Sequence, residues 1–305
     1  MRIAHFSDLH VLALDGVATH RFFNKRFTGW VNLRLKRGHK HKSVHVRTIA
    51  REITKAKVDH VVITGDLTNL ALEQEFDAVK RLLEDELGLH EDRVSVVPGN
   101  HDLYTRGALR DRRFTRSFRG YVASDLPELS AEIPLGHFPF VKLRGPAAII
   151  GLSSAVPRPP LMASGELGSA QIEALRRILA HDEVKRRTPV IILHHPIHNP
   201  PSKLKTFAEG LWDADALIET LSVVPRGLLL HGHLHVRRQR SLGTPLGELL
   251  AIGATSASLV HENEHKMAGF NLYEIEESGA IGKVEAHVLD PEREVFRVES
   301  VPRVA

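Results

Sequence analysis

The chain has 305 residues, with 42% hydrophobic and 26% charged side chains, which fits a folded globular protein and excludes global disorder. Cysteine is absent, so neither disulfides nor thiolate metal sites contribute, and the 20 histidines are the available soft ligands. Net charge is only +4, but the excess is uneven: no acidic residue occurs between Asp15 and Glu52. No apolar run approaches the roughly 20 residues needed to span a bilayer. The strand-like run after Met1-Arg2 leaves no room for a removable signal peptide, so a cytoplasmic location is expected, with peripheral contact at the inner membrane face left open.

In chain order, the patterns predict a strand at 2–6, a helix around 44–57, a strand at 59–64, a helix around 72–87 and a strand at 93–97. This alternation favours a layered α/β fold. A basic, helical stretch follows around 105–120, then two strands at 138–143 and 147–152 separated by Gly145-Pro146, where a second sheet begins. Residues 169–180 have helical apolar spacing with Ser169 as N-cap, and Asp213 is placed to cap a helix through Leu221. From Gly227 onward the pattern is mostly short β runs, ending at 283–289 and 294–301. No repeat or linker divides the chain, so a single domain over 1–305 is expected, with cap or insertion segments at 17–43 and 105–130.

Five of the strand-like runs stop at short polar motifs: Asp8-Leu9-His10, Gly65-Asp66, Gly99-Asn100-His101-Asp102, His194-His195-Pro196 and Gly232-His233-Leu234-His235. Each motif alone is commonplace. Asn100 suits a tight turn, and a His-x-His arises easily among 20 histidines. Jointly they deliver carboxylate, amide and imidazole donors to one sheet edge, where open α/β sheets bind ligands. That donor set reads as a two-metal hydrolytic site, in which a carboxylate must bridge two cations about 3.5–4 Å apart. Asp66 is the expected bridge. Mixed ligation of this kind accommodates manganese, iron, zinc or cobalt, with manganese the first choice in vitro.

The ordered set resembles the calcineurin-like metallophosphoesterases, whose pattern runs Asp-x-His, Gly-Asp, Gly-Asn-His-Asp/Glu, His, Gly-His-x-His. The resemblance implies a four-layer αββα sandwich of two mixed sheets flanked by helices. It implies that Asp8, His10, Asp66 and His235 hold one metal, and Asp66, Asn100, His194 and His233 the other. The family's His-x-Pro spacing selects His194 over His195. It also implies that His101 faces the leaving group, with Asp102 expected to orient it. The chemistry would be in-line attack on phosphorus by a hydroxide bridging two divalent ions, with His101 stabilising or protonating the departing oxygen.

The metal motifs do not distinguish substrates. Residues 20–42 interleave basic side chains with Phe22, Phe23, Phe27, Trp30, Leu33 and Leu35, which suits either a helix on an anionic membrane surface or ordinary packing beneath a basic rim. A second basic cluster includes Arg106, Arg110 and Arg113, with Phe114, Phe118 and Tyr121. It is expected near the site mouth, where arginine would bind a second substrate phosphate. Together these segments are similar in character to the branch that cleaves UDP-2,3-diacylglucosamine in lipid A synthesis, making a phosphorylated small molecule or lipid nucleotide the expected partner. Class III cyclic nucleotide phosphodiesterases fit the same ligands. A nuclease fits less well, since no long coiled-coil segment is present, and a non-catalytic binding scaffold is disfavoured by the complete ligand blocks.

Overall fold

The structure is a computed structural model that describes residues 1–17 and 42–304. The membrane reading of residues 20–42 and most of the proposed cap at 17–43 fall on residues outside the described ones. Among the described residues, no helix is long and apolar enough to cross a membrane.

Strands are numbered in chain order. The first sheet holds β1 (Arg2–Phe6), β2 (His60–Ile63), β3 (Val94–Val96), β12 (Gly269–Ile275), β13 (Ile281–Asp290) and β14 (Val295–Ser300), in the order β14-β13-β12-β1-β2-β3. The second holds β6 (Phe140–Arg144), β7 (Ala147–Gly151), β8 (Thr188–Ile192), β9 (Arg226–His231), β10 (Arg238–Thr244) and β11 (Gly247–Gly253), in the order β10-β11-β9-β8-β7-β6. A hairpin of β4 (Ala131–Ile133) and β5 (Gly136–Phe138) stands apart from them. β1, β2 and β3 run parallel, as do β7, β8, β9 and β11, while the remaining pairings in the two sheets are antiparallel. Both sheets are therefore mixed, as expected.

Alternation along the second sheet shows how four layers arise. In β7, β8 and β9, Ala147, Ile149, Val190, Ile192, Leu228 and Leu230 join the core shared with the first sheet. Ala148, Ile150, Ile191 and Leu229 belong instead to a second core with Ile172, Leu175, Ile178 and Leu217 from the helices outside. A strand covered on both faces must be apolar at every position, which is why these runs show no polar alternation. The outer face of the first sheet is covered by α1 (Ser43–Lys55) and α2 (Glu73–Leu87), whose Val46, Ile49, Ile53, Phe76, Val79 and Leu83 form apolar stripes.

Three local expectations need correction. The helix Ser169–Ala180 takes Gly168, not Ser169, as its N-cap, because the Asp213 carboxylate accepts from Leu167 N and Gly168 N (2.9 and 2.7 Å) and organises that entry. Asp213 consequently precedes its own helix, Ala214–Leu221, without capping it by its side chain. The run 138–143 is not one strand: Pro139 lacks an N–H, and the chain divides there between β5 and β6.

Glu75 at the start of α2 gives a test of this framework. Its Oε2 accepts from Leu70 N and Leu72 N (2.9 and 3.1 Å), yet burial pushes the carboxyl up from 4.5 to about 7. The folded chain thus holds this proton more tightly than the unfolded one, so the contribution is complete below about 4.5 and is lost as pH rises through about 7. Glu75→Gln is expected to exceed the parent in stability at pH 8 by up to about 3 kcal/mol, an advantage that vanishes at pH 4. Tm measured across that range checks the sign.

Candidate metal centre

Parallel β1, β2 and β3 end at one edge, and β8 and β9 bring theirs to the same place from the facing sheet. Cross-links between the motifs hold them there: Asp8 N donates to Gly65 O (3.0 Å), His10 N to Asp66 O (2.9 Å) and Gly232 N to His194 O (3.1 Å). Close approach explains two motif glycines. A Cβ on Gly99 would strike the backbone N and Oδ1 of Asp66, and one on Gly232 would strike Ser7 Oγ and Asp8 Oδ2. Gly99→Ala is expected to cost about 1–3 kcal/mol of stability and to weaken metal binding, since only movement of the Asp66 loop makes room; denaturant midpoint and metal affinity of that variant check both.

The side chains then converge on two groups. His194 Nε2, His233 Nδ1 and Asn100 Oδ1 lie 3.1–3.3 Å from one another, and Asp66 Oδ2 is 3.5 Å from His194 Nε2. On the other side His235 Nε2 is 3.1 Å from Asp8 Oδ1 and 3.2 Å from His10 Nε2, which is 4.0 Å from Asp66 Oδ2. Ligands bound at about 2.1 Å stand roughly 3.0–3.4 Å apart at octahedral or tetrahedral angles, so these separations suit divalent ions. Asp66 Oδ2 faces both groups, the position a bridge requires. Asp8, His10, Asp66, His233 and His235 all have positive φ, between 49° and 68°. Five non-glycine residues held in that region cost on the order of 1 kcal/mol each, strain of the kind that concentrates at functional sites.

Proton positions make the case for a cation stronger. His194 Nδ1 donates to Thr64 O (2.7 Å) and His233 Nε2 to Glu209 O (3.0 Å), because a carbonyl can only accept. Were both rings neutral, bare lone pairs would face each other and the Asn100 oxygen, an arrangement that positive charge relieves. Burial would raise the Asp66 carboxyl, but His194, His101 and His10 hold it well below the ordinary range. Burial would lower His194, but Asp66 and Asp8 carry it up to about 9. The carboxylates demand a cation in this cluster, which a proton on His194 or a metal ion can supply. The residues fit the metal pair.

The family model of the calcineurin-like phosphoesterases matches residues 1–237. The chain belongs to this family. No curated protein matches it. Similar solved structures include a dimetal phosphatase from Danio rerio, 13% identical, with 99% of each chain covered and a TM-score of 0.60. A purple acid phosphatase from yellow lupin (Lupinus luteus) is also 13% identical, covering 99% of this chain and 54% of its own at a TM-score of 0.58. The sulfate thiohydrolase SoxB of Thermus thermophilus is 17% identical, covering 97% and 58%, at 0.52. At these identities the likeness concerns the fold, the αββα sandwich of the calcineurin-like phosphoesterases. The family implies a dinuclear divalent metal centre, and the two donor groups are where this chain would hold it.

In this phosphoesterase the His195 ring packs against His233 (centroids 4.5 Å apart), but its nitrogens are engaged outside the donor groups: Nε2 donates to Ala163 O (2.8 Å), and Nδ1 accepts from Ser154 Oγ (2.9 Å). His101 borders the cavity, with Nδ1 donating to Asn69 O (2.8 Å) and its backbone N donating to Asp66 Oδ1 (2.8 Å). Asp102 does not orient the His101 ring. Its carboxylate, fully buried, accepts from Leu67 N, Thr68 N, Thr68 Oγ1 and Gly99 N at 2.9–3.2 Å, tying the two metal loops together. Burial and Asp66 push its pKa up to about 7 against those donors.

A cavity of about 420 Å³ opens over the donors. None of the three arginines expected to bind substrate lines it. Arg113 is drawn inward, where it pairs with Glu73 and Asp111 (both 3.1 Å) and donates to Ala71 O. Arg110 pairs with Asp111 on the surface, and Arg106 is exposed. Phe114 and Phe118 do not border the site either; they pack against Phe76 in the core. The cavity is instead completed by residues that sequence reasoning missed, His261 and Lys266 of the β11–β12 connection, together with Glu209. A signal existed, since the run 249–252 ends in Gly253-Ala254-Thr255-Ser256 as the other edge strands end in polar residues. Ser256 Oγ donates to Asp8 O (2.6 Å), which draws this sixth loop to the centre.

Proposed function

We propose that the protein is a metal-dependent hydrolase of phosphodiester or diphosphate bonds. The observation that supports it is the convergence of His194 Nε2, His233 Nδ1 and Asn100 Oδ1 opposite Asp8, His10 and His235, with Asp66 between, beneath a cavity bordered by His101. Divalent ions at such a site lower the pKa of water and neutralise charge on phosphoryl oxygens. The protein supplies the rest. Asp66, fixed by the His101 N–H, keeps the two ligand groups in register. With Nδ1–H committed to Asn69 O, His101 has Nε2 as the atom that passes a proton to the leaving oxygen. Water forms the new P–O bond in line as the bond to the leaving group breaks, and the alcohol or phosphate departs protonated.

Lys266 and His261 place a cation and a polar ring at the same cavity. This favours a substrate with charge beyond the reacting phosphoryl group, as in a diphosphate or a nucleotide diester. The test is hydrolysis by the manganese-loaded protein of bis(p-nitrophenyl) phosphate, cyclic nucleotides and UDP-2,3-diacylglucosamine. Release of UMP from the last in preference to the others would assign the lipid A reaction. Activity confined to the diesters would assign a phosphodiesterase, and none on any member would refute the proposal.

A further inference from the structure

Beside the metal cavity lies an apolar surface that the hydrolytic chemistry does not use. The helix Lys203–Glu209 has no buried residue. Its Leu204 and Phe207 are 82% and 57% exposed, and Leu161 on the neighbouring segment is fully exposed. Trp212, itself exposed, stacks on Phe207 with ring centroids 5.4 Å apart, and the Arg158 guanidinium lies 3.5 Å over its ring. The two segments are joined by backbone bonds, Ala163 N to Ala208 O (2.7 Å) and Gly165 N to Gly210 O (2.9 Å). Leucines so exposed forgo the free energy of burial that a docked partner surface would return.

The surface is continuous with the reaction site. Ala163 and Glu209, at the inner ends of these two segments, line the metal cavity, and Glu209 O accepts from His233 Nε2. Its charge is specific too. Lys203 and Lys205 flank Leu204, both exposed, so apolar tips project between cations. A tryptophan at the border of an apolar patch, its indole N–H donating to Phe207 O, suits the headgroup level of a bilayer. A soluble phosphoester would gain nothing from such a rim, whereas one embedded in lipid would be presented across it to the metals.

We infer that Leu161, Leu204, Phe207 and Trp212, bordered by Lys203 and Lys205, dock the protein on a bilayer carrying anionic phospholipid, bringing the metal cavity to a membrane-held phosphoester. This rests on the hydrolase reading only for the substrate class; docking itself is independent of turnover. The lysines add attraction to the anionic surface, and the leucines and aromatic rings supply insertion.

The experiment is flotation of the full chain with vesicles of phosphatidylcholine alone or with one-third phosphatidylglycerol, in parallel with hydrolysis of bis(p-nitrophenyl) phosphate in solution. The expected result is binding to the anionic vesicles, lowered about tenfold or more by Leu204→Ser/Phe207→Ser. Lys203→Glu/Lys205→Glu is expected to remove the preference for anionic lipid, and both variants should retain solution hydrolysis. If wild-type protein hydrolyses the ester but does not float, docking is overturned while the hydrolase reading stands. If it floats through this patch but hydrolyses nothing, the reverse holds. Undiminished flotation of both variants, or loss confined to Phe22→Ser/Trp30→Ser, would place membrane contact elsewhere. A wild-type dimer made monomeric by Leu204→Ser/Phe207→Ser would assign the patch to a second copy and overturn the inference.

Discussion

Asp66→Asn is expected to lower kcat/KM toward bis(p-nitrophenyl) phosphate by about 10³-fold or more, equivalent to about 4 kcal/mol of transition-state stabilisation. The size follows from position. Asp66 Oδ2 faces both donor groups, 3.5 Å from His194 and 4.0 Å from His10, and its Oδ1 fixes the loop carrying Asn100 and His101. An amide keeps the shape but loses the charge that offsets repulsion between two cations. Metal content should therefore fall from two ions per chain to one or none, with circular dichroism unchanged. Retention of two ions by this variant would show that another group is the bridge.

His101→Ala is expected to separate substrates by their leaving groups. A general acid contributes about 10²–10⁴-fold when the departing oxygen is strongly basic, and far less when it is a nitrophenolate that departs without a proton. Turnover of an alkyl phosphodiester should drop by about 10²-fold or more, while that of bis(p-nitrophenyl) phosphate drops by less than about tenfold. His101 is suited to this because its Nδ1 is occupied by Asn69 O and its ring borders the cavity rather than the core. Equal losses for both substrates would assign the ring to metal or phosphate positioning instead.

How the sequence foretold the site differs from how it foretold its surroundings. The donors were legible because each follows an apolar run, and a parallel strand has only one end at which to deliver them. The choice between His194 and His195 needed the family pattern, since both are fully buried and both rings pack against His233. The arginines after Asp102 were misread for a related reason. Closeness in sequence to a motif does not fix which face of a helix meets the site, and here Glu73 and Asp111 capture Arg113 while Phe76 draws Phe114 and Phe118 inward. Asp102, beside His101 in sequence, lies beneath the turn, where four N–H or O–H donors converge on its carboxyl group. Lys266 and His261 carried no motif; their place depends on β11 lying parallel beside β9, a long-range pairing that local patterns do not encode.

The central claim is that two metal ions held by this donor set drive hydrolysis. It is tested most directly by titrating manganese into chelator-stripped protein while measuring bound metal and hydrolysis of bis(p-nitrophenyl) phosphate in the same samples. The expected result is saturation at two ions per chain, with activity rising as the second site fills and disappearing on chelation. Saturation at one ion with full activity, or hydrolysis that survives metal removal, would contradict it.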